Sequence, residues 1–567
     1  MNLFNSRTSR TAFWFWCICL PFMAQTKTSL SPNPSAAVSP NPCILFHNVR
    51  TFGARGDGKS LDTPAINRAI EAIHEAGGGT LFFPAGTYRC YTIRLKSRIA
   101  LFLDQGATIL AADPDSVLGG YDLPESNPWD MYQDFGHSHW RNSLIWGENL
   151  ENVSILGPGL IHGKGLTKRG PGARRTSPAL DMPVTLLNRP DPMAPRPDLG
   201  WDFDAQVQAM AGLGNKAIAL KNCRNVILRD FSVLMGGHFV LLATGVDNLT
   251  IDNLKVDTNR DGFDIDCCRH VRISNCSVNS PNDDAIVLKS SFALGEARAT
   301  ENVSITNCQV SGFDPGTFLD GTFKRTQETA PDRDGPTGRI KLGTESNGGF
   351  RNIAISNCVF ERCRGLALET VDGAALEDVA VTNVTMRDIV NAPIFLRLGS
   401  RMRGPAGAAV GTLRRVTISH VDVYNADPRY ASIISGIPGH PVEEIMLDHV
   451  RILYRGGGTR QDAAAEPAEK ENAYPEPSMF GTIPAYGFYI RHASGIVLDN
   501  VHVGFMNQDL RPAFVLSDVH GADLQHIRAQ RAQDVPAFVL KRVEAVRLHD
   551  YPPAPDQSID HAKRKTF

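Results

Sequence analysis

The stretch of residues 225–278, NVILRDFSVLMGGHFVLLATGVDNLTIDNLKVDTNRDGFDIDCCRHVRISNCSV, decides the fold because one pattern occurs in it three times. The copies start at Asn225, Asn248 and His270, so they are 23 and 22 residues apart. In each copy apolar residues alternate with polar ones, as in a β-strand that buries one face. A period of roughly 20 to 25 residues, built from strands and turns, is typical of a solenoid in which each repeat forms one coil.

The same pattern returns later in the chain, with longer gaps between the copies. These later copies are NVSITNCQV (302–310), NIAISNCVF (352–360), DVAVTNVTM (378–386), RVTISHVDV (415–423) and EIMLDHVRI (444–452). A leucine-rich repeat would show leucine at fixed places and helical segments, and a propeller blade would need about 40 residues. The sequence therefore predicts an all-β parallel β-helix, in which the recurrent Asn at the bend bonds to the coils above and below.

The open ends of such a solenoid need covers, because their strands would otherwise present unpaired edges. The segment TPAINRAIEAIHEAGGG (63–79) has the pattern of an amphipathic helix that stops at glycine. Its apolar positions at helical spacing are Ala65, Ile66, Ala69, Ile70 and Ile73. We expect this helix to cover the N-terminal end of the core.

The 11 cysteines do not have the pattern of a disulfide framework. Four of them follow an asparagine in the same local setting, namely Cys223, Cys276, Cys308 and Cys358. This setting predicts small buried residues stacked in a repeat, with few or no disulfides.

Composition and charge limit the functions to consider. Apolar residues make up 42% of the chain and charged residues 21%, which fits a strand-rich globular protein with a large core. The net charge is −2 and there is no long basic stripe, so nucleic acid is excluded as a partner. We expect a monomer that needs no cofactor.

The N-terminal segment MNLFNSRTSRTAFWFWCICLPFMAQTKTS (1–29) has two arginines followed by an apolar run from Ala12 to about Ala24. This is the layout of a secretory signal, the alternative being an anchor that stays attached. We expect a secreted or periplasmic protein without a membrane span after signal removal. The predicted organisation is a signal peptide (1–26), a linker (27–47), a catalytic domain (48–555) and a C-terminal tail (556–567).

Long irregular insertions interrupt the coils at residues 119–142, 165–212, 313–338 and 456–484. Insertions of this length on a rigid scaffold are usually either functional walls or disordered segments. His137 and His139 lie in the first insertion and would reach over a cleft if that insertion forms a wall.

Three aspartates carry the strongest chemical signal. Asp261 and the pair Asp283 and Asp284 are 22 residues apart, which is one repeat, so they lie on adjacent coils. Coils stack about 4.8 Å apart, and carboxylates that close cannot all ionise, so one keeps a proton while the others can activate water. Glycosidic bond hydrolysis needs such an acid and base. The competing interpretation is that these aspartates only cap turns.

Several segments resemble glycoside hydrolase family 28, the polygalacturonase and rhamnogalacturonan hydrolase family. They are FGARGDGKSLDTPAINRAI (52–70), NRDGFDID (259–266), NDDAIVLKS (282–290) and GTESNGGFRNI (343–353). The resemblance implies a right-handed parallel β-helix and metal-free hydrolysis with inversion. It implies that Asp283 is the general acid and that Asp261 with Asp284 activates water. Glu345 matches an acidic residue of exo-acting and bacterial relatives, although a turn role is equally open.

The chain departs from the family pattern at the residues that hold galacturonate. The family histidine falls near Gly338, and the Arg-x-Lys pair that grips the substrate carboxylate falls on Ala367 and Glu369. We expect galacturonate binding to be weaker as a result. Candidate replacements for substrate binding are Arg339, Lys341, His238 and Arg397, against the alternatives of an exposed strand edge for the first two and a turn histidine for His238.

The sequence thus predicts a hydrolase acting on a pectin-type polysaccharide or oligosaccharide, with closed cleft ends that favour exo action. Two alternatives stay open. A pectate or rhamnogalacturonan lyase shares the fold and would use the aspartates to hold calcium. A non-catalytic carbohydrate-binding β-helix would use them only as turn caps.

Overall fold

The computed structural model describes residues 46–114, 119–167 and 207–567. The chain divides into the segment Met1–Cys43 and one compact unit, Ile44–Phe567. The predicted signal peptide and most of the insertion 165–212 lie outside the described residues. No helix within the described ranges is long and apolar enough to cross a membrane.

The predicted parallel β-helix is confirmed: the strands stack in three parallel sheets, and each sheet receives one strand from each coil. Sheet I consists of Ile93–Arg94, Ser143–Glu148, Lys216–Lys221, Phe239–Thr244, Asp261–Asp266, Ile286–Ser290, Ile340–Ser346, Leu366–Thr370, Ile394–Leu398 and Ser432–Ser435. Sheet II begins with Phe46–Asn48, Gly79–Phe83, Ile99–Leu103, Glu151–Leu156, Arg224–Arg229, Asp247–Asp252, Arg269–Ser274 and Thr300–Thr306. Sheet III includes Asp57–Leu61, Gly86–Cys90, Ala107–Ala111, Leu160–His162, Ser232–Leu234, Lys255–Asp257, Ser277–Asn279, Gln309–Ser311 and Arg528–Ala529.

In the C-terminal half, longer strands bend from one sheet into the next. They are Phe350–Glu361, Ala375–Arg387, Thr412–Ala426, Val442–Gly456, Phe488–Asn507, Phe514–Gln525 and Phe538–His549. Apolar side chains from all three sheets fill one continuous core along the coils. Because successive strands pair in parallel and in register, a residue in one repeat lies directly above its counterpart in the previous repeat.

Asparagine ladders hold the bends, as the sequence predicts. Asn225 and Asn248 both have left-handed backbone conformations, which Asn tolerates better than most residues. The Asn248 amide donates to the Asn225 side chain over 2.8 Å, and the Asn225 amide donates to Asn152 over 3.0 Å. Each ladder satisfies polar groups that the turn would otherwise expose.

The predicted N-terminal cover is also confirmed. The helix Thr63–Glu75 buries the five apolar residues expected from its pattern and packs against sheet II. The eight cysteines within the described ranges are buried and free, in agreement with the expected lack of disulfides.

The ends of the unit differ from the predicted boundaries. The strand Phe46–Asn48 pairs with Gly79–Phe83, so sheet structure begins inside the predicted linker. At the other end, Gln557–Thr566 is a strand that pairs antiparallel with Phe538–His549. The segment 556–567 is therefore part of the sheet and not a loose tail, and it covers the edge of the last coil.

The insertions contain the remaining short helices. Those with described bounds, apart from the 3-10 turn Val49–Phe52, include Asp130–Tyr132, Phe135–Ser138, Arg460–Ala463 and Pro477–Phe480. The insertions 119–142 and 456–484 place side chains on the outer face of sheet I, where the candidate site lies.

Candidate active site

The structure brings the three predicted aspartates together on sheet I. Asp261 begins the strand Asp261–Asp266, and Asp283 and Asp284 lie just before Ile286–Ser290 in the next coil. One carboxylate oxygen from each residue lies within 4.8 Å of the other two. Asp261 and Asp284 are buried, whereas the Asp283 side chain is 30% exposed. Of the three, Asp283 is thus the one that a large substrate can reach most directly.

The surroundings of the trio separate its protonation states. Burial, together with the neighbouring Asp283 and Asp264 carboxylates, raises the pKa of Asp261 well above its usual value. Burial also acts to raise the pKa of Asp284, but Lys341 and Arg339 outweigh it and lower that pKa to about 2. The trio therefore combines a carboxyl group with a raised pKa, Asp261, and a carboxylate with a lowered pKa, Asp284.

Arg260, which the sequence analysis did not single out, is the cation nearest to Asp283. Its Nε donates to Asp283 over 3.1 Å and lies 3.6 Å from an Asp261 oxygen. Its Nη1 donates to His238 Nδ1 over 3.2 Å. Burial, Arg260 and His137 lower the pKa of His238 well below its usual value, so the ring is neutral. Because Nδ1 accepts the hydrogen bond, the ring proton is on Nε2.

The backbone explains why the family histidine is absent. Gly338 has a left-handed backbone (φ +46°), and a Cβ there would lie 2.2 Å from the Ser311 carbonyl oxygen. A histidine does not fit at this position without a backbone shift. His238 enters the site from an earlier coil instead and reaches Asp283 through Arg260.

Arg339 and Lys341, the predicted substrate-binding cations, lie beside Asp284, and both are buried and paired. Arg339 Nε donates to Asp284 over 2.8 Å, and Lys341 Nζ lies 3.6 Å from the other Asp284 oxygen. Lys341 also lies 3.4 Å from Glu369. These contacts make the two cations the source of the low pKa of Asp284.

The insertion 456–484 closes over this side of the site. Glu476 accepts hydrogen bonds from Arg339 and, over 3.0 Å, from Arg364. Tyr474 accepts a hydrogen bond from Lys341 over 3.3 Å, with the ammonium 5.2 Å from the ring centre. Sequence reasoning missed Glu476 and Arg364, because only the folded chain brings them beside the trio.

Glu345 lies on the other side, in a second group of ion pairs. Lys289 donates to Glu345 over 3.0 Å and lies 3.8 Å from Asp264. Arg401 and Arg403 approach Glu345 to 3.7 and 3.8 Å. Burial acts to raise the pKa of Glu345, but Lys289 and Arg401 hold it well below its usual value.

The insertion 119–142 lies over this second group. A wall of this kind was one of the two possibilities expected for the long insertions, the other being a disordered segment. His137 Nε2 contacts Asp264 over 3.1 Å, and the His137 ring packs edge-on against Phe239. Asp134, the residue directly before the short helix Phe135–Ser138, lies 3.5 Å from Arg403. His139 points elsewhere and contacts Asp130 and the Glu125 carbonyl.

Arg397 has a different use from the predicted one. Its guanidinium is buried and donates to Ser435 and to the carbonyls of Gly436, Glu469 and Lys470. It also packs over the Phe480 ring at 5.3 Å. These contacts hold the insertion 456–484 in place, and the structure does not bring Arg397 to the trio.

Two family descriptions match parts of the chain. "Rhamnogalacturonase A/epimerase, pectate lyase-like" matches residues 46–132, and "Right handed beta helix region" matches residues 239–403. The second match covers the strands that carry the trio and gives the hand of the coil.

Curated relatives fall into two groups. The chain is 22% identical over 462 residues to a probable polygalacturonase of Vitis vinifera, covering 77% of this chain and 80% of the relative. It is 26% identical over 372 residues to an exo-poly-alpha-D-galacturonosidase of Dickeya chrysanthemi, covering 62% and 56%. It is 28% identical over 265 residues to mannuronan C5-epimerase AlgE1 of Azotobacter vinelandii, covering 45% of this chain but only 16% of that relative.

Solved structures agree on the fold. An exopolygalacturonase from Yersinia enterocolitica superposes with a TM-score of 0.57 at 19% identity, covering 86% of this chain and 78% of that one. One from Thermotoga maritima gives 0.53 at 18% identity, covering 92% and 94%. The fold and these likenesses place the chain in the class of right-handed parallel β-helices. Within that class, the polygalacturonase relatives support a likeness to glycoside hydrolase family 28.

Proposed function

We propose that the protein is a glycoside hydrolase that cleaves a glycosidic bond in a pectic polysaccharide or oligosaccharide. The observation that carries this proposal is the carboxylate trio, whose oxygens lie within 4.8 Å of one another and in which the pKa of Asp261 is raised and that of Asp284 is lowered. Such a split is what acid and base catalysis on one bond requires. The match to a probable polygalacturonase, which covers 77% of this chain and 80% of that relative, supports a pectic substrate.

We assign the acid role to the Asp261 and Asp283 pair, with Asp283 as the donor to the leaving oxygen. Asp283 is the exposed member, and Arg260 contacts both residues of the pair. When the bond between the anomeric carbon and the leaving oxygen breaks, that oxygen takes the proton from Asp283. The raised pKa of Asp261 favours a proton on this pair, whose carboxylate oxygens lie within 4.8 Å of each other.

We assign the base role to Asp284. A water that attacks the anomeric carbon must lose a proton, and a carboxylate with a pKa of about 2 is ionised at every pH at which the fold is expected to work. Arg339 and Lys341 keep it ionised and hold it in one orientation. The proton balance is then complete: one proton leaves the acid pair and one arrives at Asp284.

The stereochemical outcome follows from how the water is held. Resemblance to family 28 implies inversion, whereas oxygens within 4.8 Å are closer than the separation of about 6.5 to 9.5 Å usual between inverting carboxyl groups. We propose inversion, because the two cations on Asp284 suit it to activating water better than to attacking a sugar. Proton NMR of the first product identifies its anomer, and a retained configuration would contradict this assignment.

Exo action is proposed from the walls of the site. The insertion 456–484 covers one side through Glu476, and the insertion 119–142 covers the other through His137 and Asp134. An exo-acting relative from Dickeya chrysanthemi supports the same mode. Product analysis over time distinguishes the modes, since an exo enzyme releases one short product from the start and an endo enzyme releases a mixture.

A second candidate is an epimerase or lyase, which the likeness to mannuronan C5-epimerase AlgE1 favours. The trio oxygens are also close enough to hold a metal ion. Arg260, Arg339 and Lys341 already supply positive charge at those carboxylates, which favours the hydrolase. Incubation of a uronan with the protein separates the candidates: a lyase forms an absorbing unsaturated uronate, an epimerase changes the uronate ratio, and a hydrolase only adds reducing ends.

We further propose that the protein acts outside the cytoplasm as a monomer. The basis for export is the Arg-rich and apolar pattern of residues 1–26. Cell fractionation tests the first statement, and light scattering of the purified protein tests the second.

A further inference from the structure

The site contains many cations, and each of them already faces a carboxylate. The pairs around the trio are Arg260 with Asp283 at 3.1 Å, Arg339 with Asp284 at 2.8 Å, Lys341 with Glu369 at 3.4 Å, Arg364 with Asp332 at 2.7 Å, Lys289 with Glu345 at 3.0 Å, Arg401 with Asp372 at 2.5 Å, and Arg403 with Asp134 at 3.5 Å. A substrate carboxylate entering this site would have to compete with a protein carboxylate for any of these cations.

Above about pH 7, where Glu369 ionises, the wall on the side of Arg339 is acidic overall, and below that pH it has no surplus of positive charge. Three cations, Arg339, Lys341 and Arg364, face four carboxylates, which are Asp284, Glu369, Glu476 and Asp332. Three of these carboxylates, all except Asp332, are buried. A further carboxylate placed here would meet repulsion in surroundings that screen charge poorly.

The same wall contains a buried carboxyl oxygen that has no hydrogen-bond partner within the described residues. This oxygen is Oε1 of Glu369, which is fully buried. A buried acceptor without a partner costs free energy that a donor can recover. Sugar hydroxyls are donors, whereas a uronate carboxylate is an acceptor only.

The cations of the opposite wall also face carboxylates. Lys289, Arg401 and Arg403 converge on Glu345, but Asp264, Asp372 and Asp134 face the same cations. The site thus has no surplus of positive charge on either side of the trio within the described residues.

From these contacts we infer that the sugars on both sides of the cleaved bond are uncharged, so that the enzyme acts on a neutral-sugar portion of pectic glycans. This inference rests on the proposed function and narrows its substrate. It assigns Glu369 and Glu476 as specificity residues that exclude galacturonate. A carboxylate at either subsite is expected to weaken catalysis, not to support it.

The test uses pairs of substrates that differ only in charge. Oligogalacturonides and their carboxyl-reduced forms have the same linkages and ring configuration, because reduction converts each galacturonate to galactose. The inference predicts that kcat/KM on the reduced form is at least 10-fold higher. An equal or higher value on the native form would overturn it. If the protein cleaves neither form, and no other pectic glycan, the proposed function itself fails.

Two variants test the named residues. Glu476→Gln removes the charge that Arg339 and Arg364 share. Glu369→Gln removes the charge beside Lys341 above about pH 7, so the ratio is measured at pH 8. Each is expected to shift the ratio of kcat/KM toward the native oligogalacturonide by about 10-fold. The control is Glu466→Gln, in the same insertion but exposed and paired with Lys541, which should leave the ratio unchanged. If both variants fold and keep the wild-type ratio, these residues do not set specificity and the inference is wrong.

Discussion

Replacing Glu369 by glutamine should make the protein more stable at alkaline pH and leave it almost unchanged at acidic pH. Glu369 is fully buried, and its contacts are Lys341 at 3.4 Å and Thr344 at 3.5 Å. Burial raises its pKa from 4.5 to about 7, and Lys341 and Arg339 only partly oppose this. Glutamine has nearly the shape of the protonated acid, so it mimics the form that the fold prefers.

The magnitude follows from the shift. A raised pKa means that the folded protein binds the proton more tightly than the unfolded chain. The stabilising contribution is complete below about pH 4.5, the unfolded value, and is lost as the pH rises through about 7. A shift from 4.5 to about 7 corresponds to about 3 kcal/mol. The glutamine variant does not lose this contribution. The difference in the free energy of unfolding between variant and wild type should therefore increase by about 3 kcal/mol from pH 4 to pH 8.

The assay compares unfolding of the two proteins at pH 4 and pH 8 by chemical denaturation and by heat. For a chain of this size about 3 kcal/mol corresponds to about 3 °C in Tm. Shared titrations cancel between the two proteins, and Glu328→Gln, at an exposed glutamate, is the control. If the difference between variant and wild type is the same at both pH values, Glu369 does not hold a proton in the folded protein.

Three further outcomes are expected. Asp283→Asn should lower kcat by about 10² to 10⁴ with unchanged circular dichroism, because it removes a general acid; a fall in KM alone would refute that role. A chelator should leave activity unchanged, since Arg260, Arg339 and Lys341 balance the trio; restoration of lost activity by calcium would refute this. Asn248→Ala should cost about 1 kcal/mol in the free energy of unfolding, because it puts alanine at φ 55° and breaks the ladder.

The fold could be predicted from the sequence because a β-helix is a local structure repeated many times. Each coil places its apolar residues inward by simple alternation, so the 23- and 22-residue spacing of the first copies was enough. The same spacing put Asp261 one coil from Asp283 and Asp284, and the structure brings them together. The helix Thr63–Glu75 was recognisable because its apolar stripe is complete.

The walls of the site could not be predicted, because they depend on where long insertions fold back. Nothing in the sequence near Glu476 indicates that it meets Arg339, which precedes it by 137 residues. Arg397 lies one coil after Glu369 in register, which made it a candidate for substrate binding. In the structure its guanidinium donates hydrogen bonds to neighbouring carbonyl groups instead. Arg260 could have been predicted from the sequence, because it directly precedes Asp261 in NRDG and its positive charge therefore lies close to the carboxylates of the trio.

The most direct test of the central claim is product analysis of pectic glycans treated with the wild type and with Asp283→Asn. The carboxylate trio predicts that the wild type releases new reducing ends without an unsaturated uronate, and that the variant releases almost none. Unsaturated products, or undiminished cleavage by the variant, would contradict acid and base hydrolysis by Asp261, Asp283 and Asp284.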